Sequence, residues 1–232
     1  MRPLVHVTRR IPEAGLALLA ESCRLDVRDA ELPPGPDELR AALAEADGLL
    51  CLLTDPVDAA TIAAAPRLCA ISTYAVGHDN IDVAAASARG IPVGHTPGVL
   101  TETTADLAFA LLLAAARRLP EAERYARAGR WRTWEPRLLL GGDIHGATLG
   151  LVGLGRIGRA VARRARGFDM RVLYTDPHVA PGDADGARPV PLEELLERAD
   201  FVSLHAPLTA KTRGILDDAA LARMRPGSVL VN

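Results

Sequence analysis

Cysteine is scarce in this chain of 232 residues. The three that occur, Cys23, Cys51 and Cys69, are odd in number and lack the spacing of a metal site. Two of them lie in apolar runs, which is typical of buried free thiols in a reducing compartment. No histidine is followed four residues later by another, the helical spacing of a metal pair. We therefore expect no metal site.

A dominant charge and a long hydrophobic run are also missing. The net charge of −2 gives no general attraction to nucleic acid or to anionic membranes. The amino-terminal sequence MRPLVHVTRR lacks the apolar segment of a secretory signal. The longest strongly apolar stretch, Leu107 to Ala116, is too short to span a bilayer. We expect a cytoplasmic protein that binds neither nucleic acid nor membrane.

What the first half does contain is short apolar runs in alternation with helical patterns. Such alternation predicts an α/β fold with a parallel sheet and helices on both faces, whose ligands bind in loops after the strands. Two loops of that kind are Leu52–Asp55 and Tyr74–Gly77. The predicted strands are Leu4–Val7, Leu25–Arg28, Gly48–Leu53, Leu68–Thr73 and Ile91–Gly94, and the predicted helices are Pro12–Ala20, Pro36–Ala44, Ala59–Ala65 and Val83–Arg89.

The segment after the last of these strands predicts a domain boundary near Gly98, because Pro and Gly interrupt the pattern there. A helix is expected from Thr101 to Leu119, opened by a capping box of Thr103 and Asp106. Since this helix is apolar almost all round, we expect it to be covered on every side, between domains or between subunits.

Residues 149–158, LGLVGLGRIG, place three glycines at the turn from an apolar strand (Ala147–Val152) into a helix (Arg156 to about Gly167). This is the G-x-G-x-x-G pattern of a dinucleotide site. Gly153 permits the tight turn, Gly155 lets the backbone approach a pyrophosphate, and Gly158 lets the helix pack closely. The amino end of the helix attracts phosphate through its free N–H groups and its dipole.

Asp176 ends the next predicted strand, Met170–Thr175, 23 residues after Gly153 (176 − 153). That spacing is expected for a carboxylate on the ribose 2′-hydroxyl of a dinucleotide. The alternative is a surface aspartate that opens an Asp-Pro turn. A carboxylate there would repel a 2′-phosphate and no arginine follows at once, so the pattern favours NAD over NADP.

The remaining patterns are a charged helix, a loop and the rest of the second sheet. The loop carries Trp131, Trp134 and three leucines up to Leu140. It either folds over its own domain or forms an arm on a partner subunit, the interpretation we favour. The predicted elements are helix Glu121–Ala128, strand Arg188–Val190, helix Leu192–Arg198, strand Phe201–His205, helix Asp217–Met224 and strand Ser228–Val231. This gives at most five strands where a dinucleotide domain usually has six, and we expect the second domain to be incomplete.

Together these motifs resemble the D-isomer-specific 2-hydroxyacid dehydrogenase family, in particular its glyoxylate/hydroxypyruvate reductase-like members. The resemblance covers nearly the whole chain and is weakest before about Asp47. Besides the glycine motif with Asp176, it rests on Tyr74-Ala75-Val76-Gly77-His78-Asp79-Asn80-Ile81-Asp82, Thr96-Pro97, Leu100-Thr101, Thr104-Ala105-Asp106, Gly129-x-Trp131 and His205-Ala206-Pro207-Leu208-Thr209.

The resemblance implies two doubly wound domains: a flavodoxin-like substrate domain over residues 1–98, without its returning carboxyl-terminal helix, and an incomplete Rossmann NAD-binding domain over 99–232. It implies an NAD-dependent oxidoreductase that transfers a hydride between NAD(H) and a small 2-oxo or 2-hydroxy acid such as glyoxylate or hydroxypyruvate. A homodimer through the Thr101–Leu119 helix and the Trp131–Leu140 arm is our expectation for assembly. The implied substrate-binding residues are Leu53, Val76 and Gly77, and the implied cofactor-binding residues are Val76, Thr104, Gly153, Gly155, Arg156, Ile157, Gly158, Asp176, His205, Ala206, Pro207 and Thr212.

In this family an Arg binds the substrate carboxylate and carbonyl, a His acts as general acid/base and a Glu orients that His. By the resemblance all three follow the strand that ends at Asn232, so we expect this chain to be a fragment without its catalytic groups and without turnover of its own. The alternative is a non-catalytic NAD-binding or interaction protein derived from the same family.

Overall fold

The computed structural model describes residues 2–232 of the chain, which divides between Val99 and Leu100 into two compact units. Each unit is built on one sheet of five parallel strands with intervening helices. The predicted fold class, two α/β units with parallel sheets, is confirmed.

The first unit has the strand order β2-β1-β3-β4-β5, so β1 lies between β2 and β3 and pairs with both. Leu49 and Cys51 of β3 pack with α2, α3 and α4 on one face, while Leu50 joins Val7 and the α1 residue Leu16 on the other. Both faces of the sheet are therefore buried, as parallel sheets require. The elements are β1 (Leu4–Val7), α1 (Glu13–Ala20), β2 (Arg24–Val27), α2 (Pro36–Leu43), β3 (Gly48–Cys51), α3 (Ala59–Ala63), β4 (Ala70–Thr73), α4 (Val83–Ala88) and β5 (Val93–Gly94).

The second unit has the order β10-β9-β6-β7-β8. Leu149 and Leu151 of β6 pack against α5 and α7, and Val152 packs with α8 on the opposite face. The elements are α5 (Thr101–Ala116), α6 (Leu119–Arg127), β6 (Thr148–Val152), α7 (Arg156–Arg166), β7 (Arg171–Thr175), β8 (Arg188–Pro189), α8 (Leu192–Arg198), β9 (Phe201–Leu204), α9 (Asp218–Arg223) and β10 (Val229–Val231), with a 3₁₀ turn at Pro181–Asp183.

The predicted helix Thr101–Leu119 is wrong at its carboxyl end. Helix α5 stops at Ala116, and Arg118 takes a left-handed backbone conformation with φ of 52°. Leu119 instead begins α6, with Pro120 in its first turn, a position where proline is well tolerated. The apolar pattern ran across the break because both helices carry leucines there.

The predicted capping box is also wrong. The residue before α5 is Leu100, and no side chain caps the helix; Thr103 lies within its first turn. Asp106 pairs with Arg164 of α7 at 2.5 Å. Asp106, which the local sequence pattern predicts to cap the helix, instead forms an ion pair with a different helix.

Within the second unit α5 is covered on one face only. Ala105, Phe109 and Leu112 are buried, whereas Leu107 is 60% and Leu111 46% exposed. The arm is exposed as well at Trp131, Trp134 and Leu140. No helix within residues 2–232 has the length and apolar character needed to cross a membrane.

Candidate functional site

The turn after β6 holds three glycines in three different environments. Gly153 has a φ of +95°, and a Cβ on it would lie 2.8 Å from the backbone nitrogen of Ala206. A Cβ on Gly158 would lie 2.3 Å from the carbonyl oxygen of Gly153. A Cβ on Gly155 would meet nothing within 4 Å. Two glycines therefore close the turn, and the third faces open space at the start of α7.

Helix α7 begins directly after Gly155, at Arg156. Its first backbone N–H groups have no partners of their own within a helix and, with the dipole, favour an anion beside Gly155. Gly158 brings the helix against the turn itself, since its nearest contact is Gly153. The sequence predicts only that the helix packs closely at Gly158, and the structure shows that the contact is with the loop that leaves the sheet.

Asp176 follows β7 and braces the same turn. Its Oδ2 accepts a hydrogen bond from the backbone N–H of Leu154 at 2.8 Å, and its Oδ1 accepts one from the N–H of His178 at 2.8 Å. The Asp-Pro turn that sequence reasoning gave as an alternative is therefore formed. Both bonds leave each carboxylate oxygen with further acceptor capacity, so the local turn and a ribose contact are compatible.

Asp176 also lines a hollow of about 360 Å³. Pro177 and the run Pro189–Pro191 form much of its wall, together with Tyr174 and Thr175. Flat apolar walls next to a carboxylate suit an adenosine, whose base is flat and whose ribose is polar. Sequence reasoning missed these prolines, because in the sequence they only mark a loop and no pattern shows which strand lies beside them.

His205 lies between β9 and the glycine turn. Its Cβ is 3.8 Å from the Cβ position of Gly158, and its Nε2 is 2.9 Å from the Ser203 hydroxyl. Burial lowers the pKa of His205 to about 4, so the ring is neutral at pH 7. The following loop is held by the Thr212 hydroxyl, which donates to the carbonyl of Pro207 at 2.5 Å.

Thr104 lies in the first turn of α5 and is half-buried. The same turn is tied to α7 by Arg164, which bonds Asp106 and also reaches Glu102 at 2.9 Å. These bonds raise the pKa of Arg164, with Asp106 the largest cause. The acids thus set the position of the first turn of α5 against the helix that begins at the glycine turn.

In the first unit, Leu53, Val76 and Gly77 lie on neighbouring loops. A Cβ on Gly77 would be 3.7 Å from Cδ2 of Leu53, and Leu53 is 56% exposed. The Val76 carbonyl is 3.0 Å from Nδ1 of His95. The structure therefore places the three expected substrate-binding residues together at the carboxyl ends of β3 and β4.

Asp55 and Asn80 hold those two loops together, and sequence reasoning assigned neither a role in the site. The buried Asp55 carboxylate accepts from the Thr8 hydroxyl at 2.5 Å and from the Leu52 N–H at 2.6 Å. The Asn80 amide donates to the carbonyls of Leu52 and Asp55 at 3.0 and 2.9 Å. An acid in a polar loop is normally solvated, so no sequence signal marked Asp55 as buried.

Other reactive groups give little chemistry. Burial raises the pKa of the Cys51 thiol to about 12, which makes it a poor nucleophile. His78 and His95 stack edge to face on each other with ring centroids 5.1 Å apart. Within residues 2–232 no group of three or more His, Cys, Asp or Glu side chains is placed to hold a metal ion.

An all-parallel sheet, a glycine turn open at the start of a helix and an acid after the next strand define a dinucleotide-binding α/β protein. Comparison with known proteins narrows this class. Residues 109–232 match the model of the D-isomer specific 2-hydroxyacid dehydrogenase, NAD binding domain.

A glyoxylate reductase of Korarchaeum cryptofilum is 53% identical over the whole chain, which spans 71% of that relative. The crystal structure of the TT0316 protein of Thermus thermophilus is 47% identical, with a TM-score of 0.90 over 98% of this chain and 72% of that one. A glyoxylate reductase of Paecilomyes thermophila is 33% identical, with a TM-score of 0.83 over 100% and 73%. The chain belongs to the D-isomer specific 2-hydroxyacid dehydrogenase family and carries its NAD-binding domain.

Proposed function

We propose that this protein serves hydride transfer between NAD(H) and a small 2-oxo or 2-hydroxy acid, with glyoxylate and hydroxypyruvate as the first candidates. The observation that carries the proposal is the turn at Gly153–Gly158, open only at Gly155 and braced by Asp176. The glyoxylate reductases among its relatives support the choice of substrate. When bound, the nicotinamide supplies or accepts the hydride.

In this proposal the pyrophosphate binds at Gly155, Arg156 and Ile157, where the amino end of α7 is exposed. The ribose hydroxyls bind Asp176 and the adenine enters the proline-walled hollow. The segment His205–Pro207 with Thr212 borders the cofactor, and Thr104 contacts its nicotinamide half. The Asp176 carboxylate supports NAD over NADP, because it would repel a 2′-phosphate.

The substrate carboxylate is proposed to bind the backbone N–H groups of Val76 and Gly77, with Leu53 against the substrate body. Three observations support this placement: the contact of Leu53 with Gly77, the exposure of Leu53, and the clamp by Asp55 and Asn80. Because the loops that carry Leu53 and Gly77 lie close together, a 2-oxo acid with a short side chain fits this site best.

Proton transfer is not assigned to His205, His78 or His95. His205 is neutral and bonded to Ser203, whereas His78 and His95 have each other as ring partners. We therefore expect the 232 residues assayed alone to bind NADH without turning over a 2-oxo acid.

We also propose a cytoplasmic homodimer. Leu107, Leu111, Trp131 and Trp134 are large apolar side chains that are exposed, which supports a partner subunit on α5 and the arm. The three free cysteines support a reducing compartment.

NADH titration and NADH oxidation together test the proposal. The chain should quench or shift NADH fluorescence saturably, and glyoxylate should not consume NADH. A chimera that joins residues 1–232 to the remaining segment of the Korarchaeum relative should oxidise NADH with glyoxylate or hydroxypyruvate. A chimera that binds NADH but reduces no 2-oxo acid would favour the non-catalytic NAD-binding alternative. Turnover by the 232 residues alone would contradict the expectation for the catalytic groups.

A further inference from the structure

A second cavity, of about 350 Å³, lies in the second unit at the amino edge of its sheet. Thr148, Arg171 and Arg188 line it, and they are the first residues of β6, β7 and β8. The glycine turn and Asp176 follow the carboxyl ends of β6 and β7. The cavity is therefore at the opposite edge of the sheet from the proposed dinucleotide site, and its volume is in the range of small-molecule sites.

Positive charge dominates this cavity. Four arginines line it, Arg166, Arg171, Arg188 and Arg198, against one carboxylate, Asp185. Among residues 2–232, Glu194 forms an ion pair with Arg198, and none of the other three arginines pairs with a carboxylate. Like charges gathered with so few counter-charges repel one another. The chain as a whole has a net charge of −2, so this local excess is not a general property of its surface.

A position at the carboxyl end of a helix accounts for the presence of only two of the four arginines. Arg166 and Arg198 are the last residues of α7 and α8, where a cation is favourable against the helix dipole. Arg171 and Arg188 begin strands and gain nothing from a helix. Arg171 donates to the Thr148 hydroxyl at 3.3 Å, and within the described residues the Arg188 guanidinium has no hydrogen-bond partner.

The remaining wall of the cavity is apolar. Ala162, Met170, Val172, Leu173 and Ala187 contribute it, and Met170 and Leu173 are buried. An inorganic anion would use the arginines and leave this surface without contacts. The lining thus matches a ligand with an anionic head and an apolar body.

We propose that this cavity binds a small phosphate monoester with an apolar or aromatic body. Guanidinium groups bind phosphate oxygens in bidentate pairs, and a dianion can satisfy Arg171 and Arg188 together. The apolar wall contacts the ester group. Such a site would give the second unit a regulatory ligand separate from its cofactor.

The test is a titration of the ¹⁵N-labelled chain with phenyl phosphate, in the presence of saturating NADH so that the cofactor site is filled. Saturable shifts are expected at Val172, Ala187 and Arg188 and not at Gly155. Phenyl phosphate should bind about tenfold or more tightly than inorganic phosphate, because only the ester contacts the apolar wall. Phenol should not bind.

The variant Arg171→Glu/Arg188→Glu should weaken phenyl phosphate binding at least about tenfold. Arg117→Glu/Arg127→Glu, an equal charge change at residues that do not line the cavity, should leave it unchanged. If the double variant does not fold, Arg188→Glu alone serves, since Arg188 has no hydrogen-bond partner to lose. Absence of saturable shifts in the wild type, equal affinity for phenyl phosphate and inorganic phosphate, or equal effects of the two double variants would overturn the proposal. None of these results depends on whether the protein reduces 2-oxo acids.

Discussion

The glycines of the turn after β6 differ in what an added methyl group would contact. Alanine substitutions at single glycines can therefore distinguish an effect on cofactor binding from an effect on folding. Gly155→Ala adds a Cβ to open space at an ordinary backbone φ of −72°. We expect an unfolding temperature close to the wild type and NADH affinity weakened about tenfold or more, because the Cβ would occupy the place proposed for the pyrophosphate. Thermal unfolding and NADH titration measure the two effects.

Gly158→Ala is the matched control, because the same methyl group would lie 2.3 Å from the Gly153 carbonyl. It should lower the free energy of unfolding by about 1–3 kcal/mol. If Gly155→Ala lost stability and kept its NADH affinity, the assignment of the open glycine to the cofactor would fail.

His205 should make stability depend on pH. Its folded pKa of about 4 is below the ordinary 6.5, so between these values the unfolded chain binds more protons than the folded one. The free energy of unfolding should therefore be fully supported above pH 6.5 and fall, by roughly 3 kcal/mol at most, as the pH drops toward 4. Urea unfolding at several pH values would measure this slope. His205→Asn should flatten the slope in that window, and an unchanged slope would contradict the burial of a neutral His205.

At the scale of elements, the loop after β3 depends on one buried carboxylate. Asp55→Ala would leave the Leu52 N–H without its acceptor and the Arg9 guanidinium without its carboxylate partner. We expect a loss of roughly 2–4 kcal/mol in the free energy of unfolding of the first unit. Asp58→Ala, which removes only the amino-terminal cap of α3, should cost about 1 kcal/mol. Equal losses in chemical denaturation followed by circular dichroism would show that Asp55 is an ordinary loop residue.

The elements also show what sequence can and cannot predict here. Period and alternation placed the strands and the α-helices, because buried parallel strands leave short apolar runs between amphipathic helices. The ends of the strands and helices were less predictable than their existence. Strand β3 stops at Cys51 and not at Leu53, because the chain turns there onto the Asp55 carboxylate.

The glycine turn could be predicted from the sequence because its spacing is set by local backbone geometry. The roles of Asp55 and Asn80 could not be predicted. Asp55 is bonded by the Thr8 hydroxyl, which is far away in the sequence, and Asn80 bonds the backbone carbonyl of Leu52, which no sequence pattern marks. The proline wall beside Asp176 was missed for the same reason, since β8 brings it there by pairing with β7.

For the whole molecule, the exposed apolar surface of α5 predicts self-association. Leu107→Glu/Leu111→Glu should place charge at the proposed subunit contact and give a species of 24.6 kDa in sedimentation velocity, whereas the wild type is expected to sediment as a dimer. Leu18→Glu/Leu32→Glu changes two exposed leucines of the first unit and should leave the dimer intact. A wild-type chain that is monomeric at all concentrations would contradict the dimer.

Similarity to the 2-hydroxyacid dehydrogenases extends over both units of the chain. The second unit has the features of a cofactor domain, and the first has two loops clamped together by Asp55 and Asn80. The proposed hydride transfer to a 2-oxo acid needs a bound dinucleotide. The choice that the second unit makes between NADH and NADPH is therefore the property to measure first.

Isothermal titration of the chain with NADH and with NADPH, in parallel with its Asp176→Asn variant, tests that selection most directly. Asparagine keeps an oxygen that can accept from the Leu154 N–H and removes the charge that would repel a 2′-phosphate. The account predicts tighter binding of NADH than of NADPH by the wild type, and a folded variant, without an acceptor for the His178 N–H, in which this preference is reduced about tenfold or more. Equal or tighter binding of NADPH by the wild type, or a preference that the variant retains, would contradict it.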